Sequence, residues 1–163
     1  MKEGKLQIYC GNGKGKTTAA IGQAIREASK GRSVFIVQFL KGKQEEEISF
    51  IKRLEPEIKL FRFQKREEAF ENLTEQEKEE EIPNLKNGLN FARKVLATGE
   101  CDVLILDEVL GLPEREITTL EELHSLLEAA ENTDLIFTGI RLYPEMLEWA
   151  DEVYEISVLK ESE

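Results

Sequence analysis

The chain is poor in the residues that most often bind metals, form covalent intermediates or cross-link a fold: two cysteines, one histidine and one tryptophan among 163 residues. Cys10 and Cys101 lie far apart in the chain with no C-x-x-C pair, which argues against a disulfide framework and a thiolate zinc site. Both are expected to be buried thiols. Long apolar runs are also missing. No stretch approaches the roughly 20 residues that a membrane span needs, and "MKEGKLQIYC" carries only a short apolar segment before polar residues. The expectation is therefore a cytoplasmic chain with no membrane partner. Basic residues are outnumbered, with 22 Lys and Arg against 33 Asp and Glu and a net charge of −11, which argues against nucleic-acid binding. Binding a phosphate backbone needs clustered Lys and Arg to displace counterions.

Repeats, linkers and low-complexity tracts do not appear, and a chain that is 40% hydrophobic fits one domain over 1–163 with a sizeable core. The acid excess is local. "KQEEE" (43–47) and "TEQEKEEE" (74–81) carry much of it and read as a solvated helix face or loop.

What remains alternates short apolar runs with helical patterns. Candidate strands are 6–9, 34–39, 58–63, 102–107, 134–139 and 153–158, each rich in β-branched or aromatic residues. Between them, 17–29 places Ile21, Ala24, Ile25 and Ala28 on one helical face, 85–98 repeats Leu85, Leu89, Ala92 and Leu96, and 119–130 forms a third helix. Pro144 suits the first turn of a last short helix, "PEMLEWAD". The alternation implies an α/β fold: a mainly parallel sheet covered by helices on both faces. The least regular region, 64–84, is a candidate ligand-covering loop.

"CGNGKGKTT" (10–18) follows the first strand and opens the first helix, the context a phosphate loop requires. Gly11, Gly13 and Gly15 let backbone N–H groups turn around an anion, and the helix N-terminus adds partial positive charge. Lys16 supplies a full charge, Thr17 a hydroxyl for a Mg²⁺ shell, and Thr18 a hydrogen bond to a phosphate oxygen. The usual first glycine of the pattern is Cys10 here. "VLILDE" then ends a continuous apolar strand in Asp107 and Glu108, the form of a Walker B element. Asp107 is the stronger metal candidate, and Glu108 can join it or orient a water or substrate. The phosphate loop and this strand together indicate a P-loop NTPase fold of the RecA-like kind. The lone His124 shares a helix with Leu120, Leu123 and Leu127 and reads as a surface or boundary residue.

The sequence resembles the P-loop corrinoid adenosyltransferases. The resemblance runs through the Gly-Asn-Gly-Lys-Gly-Lys-Thr-Thr loop (11–18), the strand end Val-Gln-Phe-Leu-Lys-Gly (37–42), "VLILDE", and the tail "DLIFTGIRLYPEMLEWADEVYEI" (134–156). It implies ATP and Mg²⁺ as ligands, a reduced corrinoid as second substrate, and transfer of the adenosyl group with release of triphosphate. It also implies a homodimer, and a flavoprotein-type reductant is a possible partner. By the same likeness Asn12, Lys14 and Lys41 join the loop residues in binding nucleotide, and Lys16, Thr17 and Glu108 carry the transfer. ATP is expected reversed, with its α-phosphate near Lys16 and Lys14 serving the γ end. The family's Thr-Gly-Arg turn reads Thr138-Gly139-Ile140-Arg141, one position longer, so Arg141 is the nucleotide-binding arginine only if that shift is tolerated. Phe70 falls where the family places aromatics against the corrinoid, and core packing is an equal reading for it. Two other functions fit the residues: phosphoryl transfer by an NTPase or kinase, and nucleotide binding without catalysis.

Overall fold

The computed structural model describes residues 4–42 and 50–162, so the acid run at 43–47 lies outside the described residues. Six strands, β1 (Leu6–Cys10), β2 (Val34–Gln38), β3 (Ile58–Arg62), β4 (Val103–Asp107), β5 (Asp134–Thr138) and β6 (Glu152–Glu155), form one sheet. Its order is β3-β2-β4-β5-β1-β6, and every pairing is parallel. All six strand ends therefore point the same way, and the loops that follow them share one edge.

Strand residues of alternate parity face opposite sides, and both sides are apolar. Val34, Ile36, Val103, Ile105 and Ile136 pack with Ala20 and Ala24 of α1 (Lys16–Ser29). On the opposite face, Val37, Leu104, Leu106, Leu135 and Phe137 share a core with Leu85, Leu89 and Ala92 of α2 (Glu75–Thr98) and Leu123 and Leu127 of α3 (Leu120–Ala129). The edge strand β6 is mostly exposed and carries Glu152 and Glu155, charges that discourage a further strand from pairing.

The helix expected at 85–98 starts ten residues earlier, at Glu75. Thr74 Oγ1 accepts from Glu77 N at 3.2 Å, and Glu77 Oε1 accepts from Thr74 N at 2.9 Å, a closed capping box. The acid run 74–81 is thus a helix start whose carboxylates favour the positive end of the helix dipole. Pro83 lies inside this helix rather than ending it. Of the region expected to be irregular, 64–73 stays outside the long helices, with one 3₁₀ turn at Phe70–Asn72, and it is tied down. The last helix, α4, shrinks to Met146–Trp149, with the turn before it carried by Leu147 N donating to Pro144 O at 3.1 Å.

The tether of the irregular segment is Glu81, which is 1% exposed. Its carboxylate accepts from Lys65 N and Arg66 N (3.1 and 2.8 Å) and from Asn84 Nδ2 (2.7 Å). Burial pushes its pKa up, but those hydrogen bonds and the nearby Arg66 charge outweigh burial and hold it below the ordinary value. A lowered carboxyl stabilises the fold above its unfolded pKa, and that contribution is lost as pH falls through the folded one. Glu81→Gln should therefore lower urea-unfolding stability by about 2–3 kcal/mol at pH 7. The gap between variant and wild type should close below about pH 4.3. A gap that stays constant down to pH 3 would contradict this role.

Candidate active site

The residues singled out in the sequence meet at the carboxyl edge of the sheet because β1, β2 and β4 are parallel and in register. Gln38, the last residue of β2, pairs directly with Asp107, the last of β4. The glycine loop follows β1 and leads into α1, which begins at Lys16.

The loop is fixed at one side and open at the other. Gly11 adopts φ +108°, and a Cβ there would stand 2.3 Å from Ile156 O, so only glycine fits. Gly13 N donates to Ile156 O at 2.9 Å and Ile156 N to Cys10 O at 2.8 Å, which fastens the loop to the chain leaving β6. Cys10, in the position of the usual glycine, is buried with its Sγ 3.6 Å from Tyr154 O. Burial pushes the Cys10 thiol up, and pushes the Cys101 thiol up to about 12, so both are inert core thiols. Asn12 is exposed. Beyond it opens a cleft of about 700 Å³ lined by Lys14, Gly15, Lys16, Thr17, Thr18, Lys41 and Glu108. Lys16 is buried and its Nζ donates to Gly13 O at 2.8 Å, turned back over the loop. Three lysines thus concentrate positive charge in an otherwise acidic protein.

Asp107 is the centre of the polar floor. Its side chain is 1% exposed, and Oδ1 accepts from Thr138 Oγ1 at 2.6 Å and from Thr17 Oγ1 at 3.0 Å. Oδ2 accepts from Gln38 Nε2 at 3.2 Å and pairs with Lys41 Nζ at 2.9 Å. Lys41 also donates to Thr17 Oγ1. The turn that aims Lys41 inward is held on both sides. Leu40 lies in the left-handed region (φ 67°), its carbonyl accepts from Phe70 N at 2.9 Å, and Lys41 O accepts from Arg62 at 2.5 Å. Gly42 passes so close to Glu67 that a Cβ would stand 2.1 Å from its carbonyl oxygen.

Glu108 also adopts a left-handed backbone (φ 66°), anchored by its N–H to Thr138 Oγ1 at 2.9 Å. Burial first, and then the neighbouring Asp107, raise its pKa, opposed by Lys41, Lys16 and Arg115. Among the described residues no three His, Cys, Asp or Glu side chains cluster as a ready-made metal cage. The oxygens of Thr17 and Asp107 are hard donors of the kind Mg²⁺ uses when phosphates complete its shell, so the residues fit that ion.

Two expected ligand residues lie elsewhere. Phe70 is 4% exposed, its ring within the core with Lys78 Nζ 5.7 Å from its centroid, a placement that accords with core packing. Arg141, shifted by the extra Ile140, lies over the Tyr143 ring at 4.6 Å and 3.9 Å from Glu114, outside the cleft lining. Conversely, Gln38 and Thr138 donate to Asp107 and Arg62 donates to the Lys41 carbonyl, and none of the three had a role assigned from sequence. The available signal was a polar residue closing a buried apolar strand. His124 packs at a tilt against Trp149, with ring centroids 4.9 Å apart, and faces Glu128, half exposed and outside the cleft lining.

The model of the family described as ATP:corrinoid adenosyltransferase BtuR/CobO/CobP matches residues 2–162. The chain belongs to this transferase family. Its relatives include the corrinoid adenosyltransferase of Escherichia coli K12, 32% identical over 160 residues, which cover 98% of this chain and 79% of that protein. The corrinoid adenosyltransferase CobA of Salmonella typhimurium is 31% identical and that of Pseudomonas aeruginosa 29%, each over 98% of this chain and over 79% and 77% of the relative. Among solved structures, the KaiC-like protein PH0186 of Pyrococcus horikoshii superposes with a TM-score of 0.59 at 16% identity, over 99% of this chain and 75% of that one. The flagellar accessory protein FlaH of Methanocaldococcus jannaschii gives 0.55 at 18%, over 91% and 67%. These likenesses show that this member of the family has the P-loop NTPase fold. Among the described residues no helix is long and apolar enough to cross a membrane.

Proposed function

We propose that the chain transfers the 5′-deoxyadenosyl group of ATP to the Co(I) centre of a reduced corrinoid and releases inorganic triphosphate. The observation that carries the proposal is a cleft lined by Lys14, Lys16 and Lys41 whose described lining holds no histidine, cysteine or serine. Such a wall suits a reaction whose nucleophile is the substrate itself and whose leaving group is a polyphosphate. Co(I) forms a bond to C5′, the C5′–O5′ bond breaks, and its electron pair leaves with the triphosphate. The cobalt is formally oxidised to Co(III).

Charge then grows on the oxygen joined to the α-phosphate, and preorganised donors help most where charge appears. Lys16 and the first amides of α1 are the natural donors there, which favours ATP lying reversed, with Lys14 at the γ end. Lys14 also lines a neighbouring cavity of about 570 Å³ formed with residues 156–162, which leaves room for the γ end on that side. Thr17 and Asp107 would hold Mg²⁺, with Glu108 beside them, and the ion would neutralise phosphate charge. The same reading, resting on the family likeness, gives a single-domain cytoplasmic protein that acts as a homodimer and draws on an external flavoprotein-type reductant.

Glu108 favours a second reading. A carboxyl on a left-handed turn beside the loop, with its pKa raised by burial, could orient a hydroxyl for phosphoryl transfer. Mixing the protein with ATP, Mg²⁺ and chemically reduced cobalamin separates the two. Loss of the Co(I) spectrum in favour of a light-sensitive adenosylcobalamin spectrum is expected. A Co(I) spectrum that decays no faster than in a protein-free control would overturn the proposal.

A further inference from the structure

We propose that Lys41 is an internal cation that competes with a divalent metal for Thr17 and Asp107, so that metal and polyphosphate bind strongly only together. The inference rests on reading Thr17 and Asp107 as the metal's ligands. The ammonium donates to Thr17 Oγ1 and lies 2.9 Å from Asp107 Oδ2, the two oxygens a metal would use. A hydroxyl already accepting from an ammonium cannot turn the same lone pair to a metal, and two cations sharing one carboxylate oxygen repel each other.

Asp107 needs such a partner. Its other donors, Thr17, Thr138 and Gln38, are neutral, and a buried carboxylate without a counter-charge is strongly destabilising. Lys41 therefore supplies the compensation that a metal would otherwise give. Gln38 sharpens the case: it is 4% exposed, its Nε2 serves Asp107, and its Oε1 has no hydrogen-bond partner. The floor thus holds an acceptor left over for a metal-bound water or for a shifted ammonium.

An incoming metal displaces only the end of the lysine, since Arg62 and Phe70 pin the backbone of residues 40 and 41. The freed ammonium lies among Lys14, Lys16 and Thr18, where an anionic polyphosphate gives it a new partner. A metal arriving alone must expel Lys41 into a cluster of like charges. One arriving with polyphosphate moves it onto an anion. The two ligands are consequently coupled, each raising the affinity for the other.

The test uses Mn²⁺ alone as probe, followed by electron paramagnetic resonance and by thermal unfolding. Lys41→Met should bind Mn²⁺ about tenfold or more tightly than wild type, a coupling of ordinary size for linked sites. It should also unfold at a lower temperature without metal and regain that loss with Mn²⁺, and Thr17→Val in the same background should abolish the gain. Lys41→Gln, which keeps one donor for Asp107, should show the same tightening and covers the case in which the methionine variant does not fold. Unchanged or weaker Mn²⁺ binding in the folded variant would overturn the proposal. Because no corrinoid is present, that failure is distinguishable from failure of adenosyl transfer, which wild-type turnover reports separately.

Discussion

Lys16→Ala should lose nearly all of the stabilisation that MgATP gives the wild-type protein. A ligand at 100 times its dissociation constant adds about 2.7 kcal/mol to stability, which for a domain of this size raises Tm by roughly 5–10 °C. Lys16 is buried at the start of α1, and its ammonium turns back to Gly13 O at 2.8 Å, so an arriving phosphate oxygen needs only a side-chain shift to reach it. A charge-assisted hydrogen bond of that kind is worth about 1.5–3 kcal/mol, or up to roughly a hundredfold in affinity. At the same ATP concentration the variant should then gain only about 0.4 kcal/mol. Its stability without nucleotide should also fall, because the buried ammonium's bond to Gly13 O is lost, so the comparison is between the shifts that MgATP adds to each protein. Thermal unfolding with and without MgATP checks this, and an equal shift in both proteins would remove Lys16 from the nucleotide site.

Asp107→Asn should be strongly destabilising. The carboxylate accepts from four side chains, and one of them, Lys41, is a cation with a side chain only 14% exposed. An amide presents an N–H₂ to a ring of donors and leaves the ammonium without its counter-charge. Breaking a buried pair from one side costs about 3–5 kcal/mol, a large share of the 5–15 kcal/mol that typically holds a domain together. Urea unfolding should show that loss, and Lys41→Met in the same chain should recover part of it, since the pair is then absent from both sides. A loss below about 1 kcal/mol would mean that Asp107 is solvated in solution.

The strands were legible in the sequence because the central ones are short apolar runs with both parities filled, and all six lie within a few residues of their expected bounds. Residues 75–84 were not, because a stretch of glutamates followed by Pro83 looks like a solvated loop until Thr74 and Glu77 are recognised as a capping box. The glycine loop and Asp107 were legible because phosphate loops and Walker B strands use local spacing. Gln38 and Thr138 were not, because their role arises from sheet register, which sets Gln38 beside Asp107 across 69 residues. Arg62 acts across 21 residues on a carbonyl that carries no sequence signal. Phe70 and Arg141 show the remaining limit: residue type and position suggested ligands, while the placement of Phe70 in the core and of Arg141 over Tyr143 was invisible.

The reaction itself is most directly tested by the phosphorus products of a single turnover. With ATP, Mg²⁺ and chemically reduced cobalamin, phosphorus NMR should show one free tripolyphosphate for each adenosylcobalamin formed and no ADP. ADP with orthophosphate as the main products would contradict adenosyl transfer and place the chemistry at the γ-phosphate.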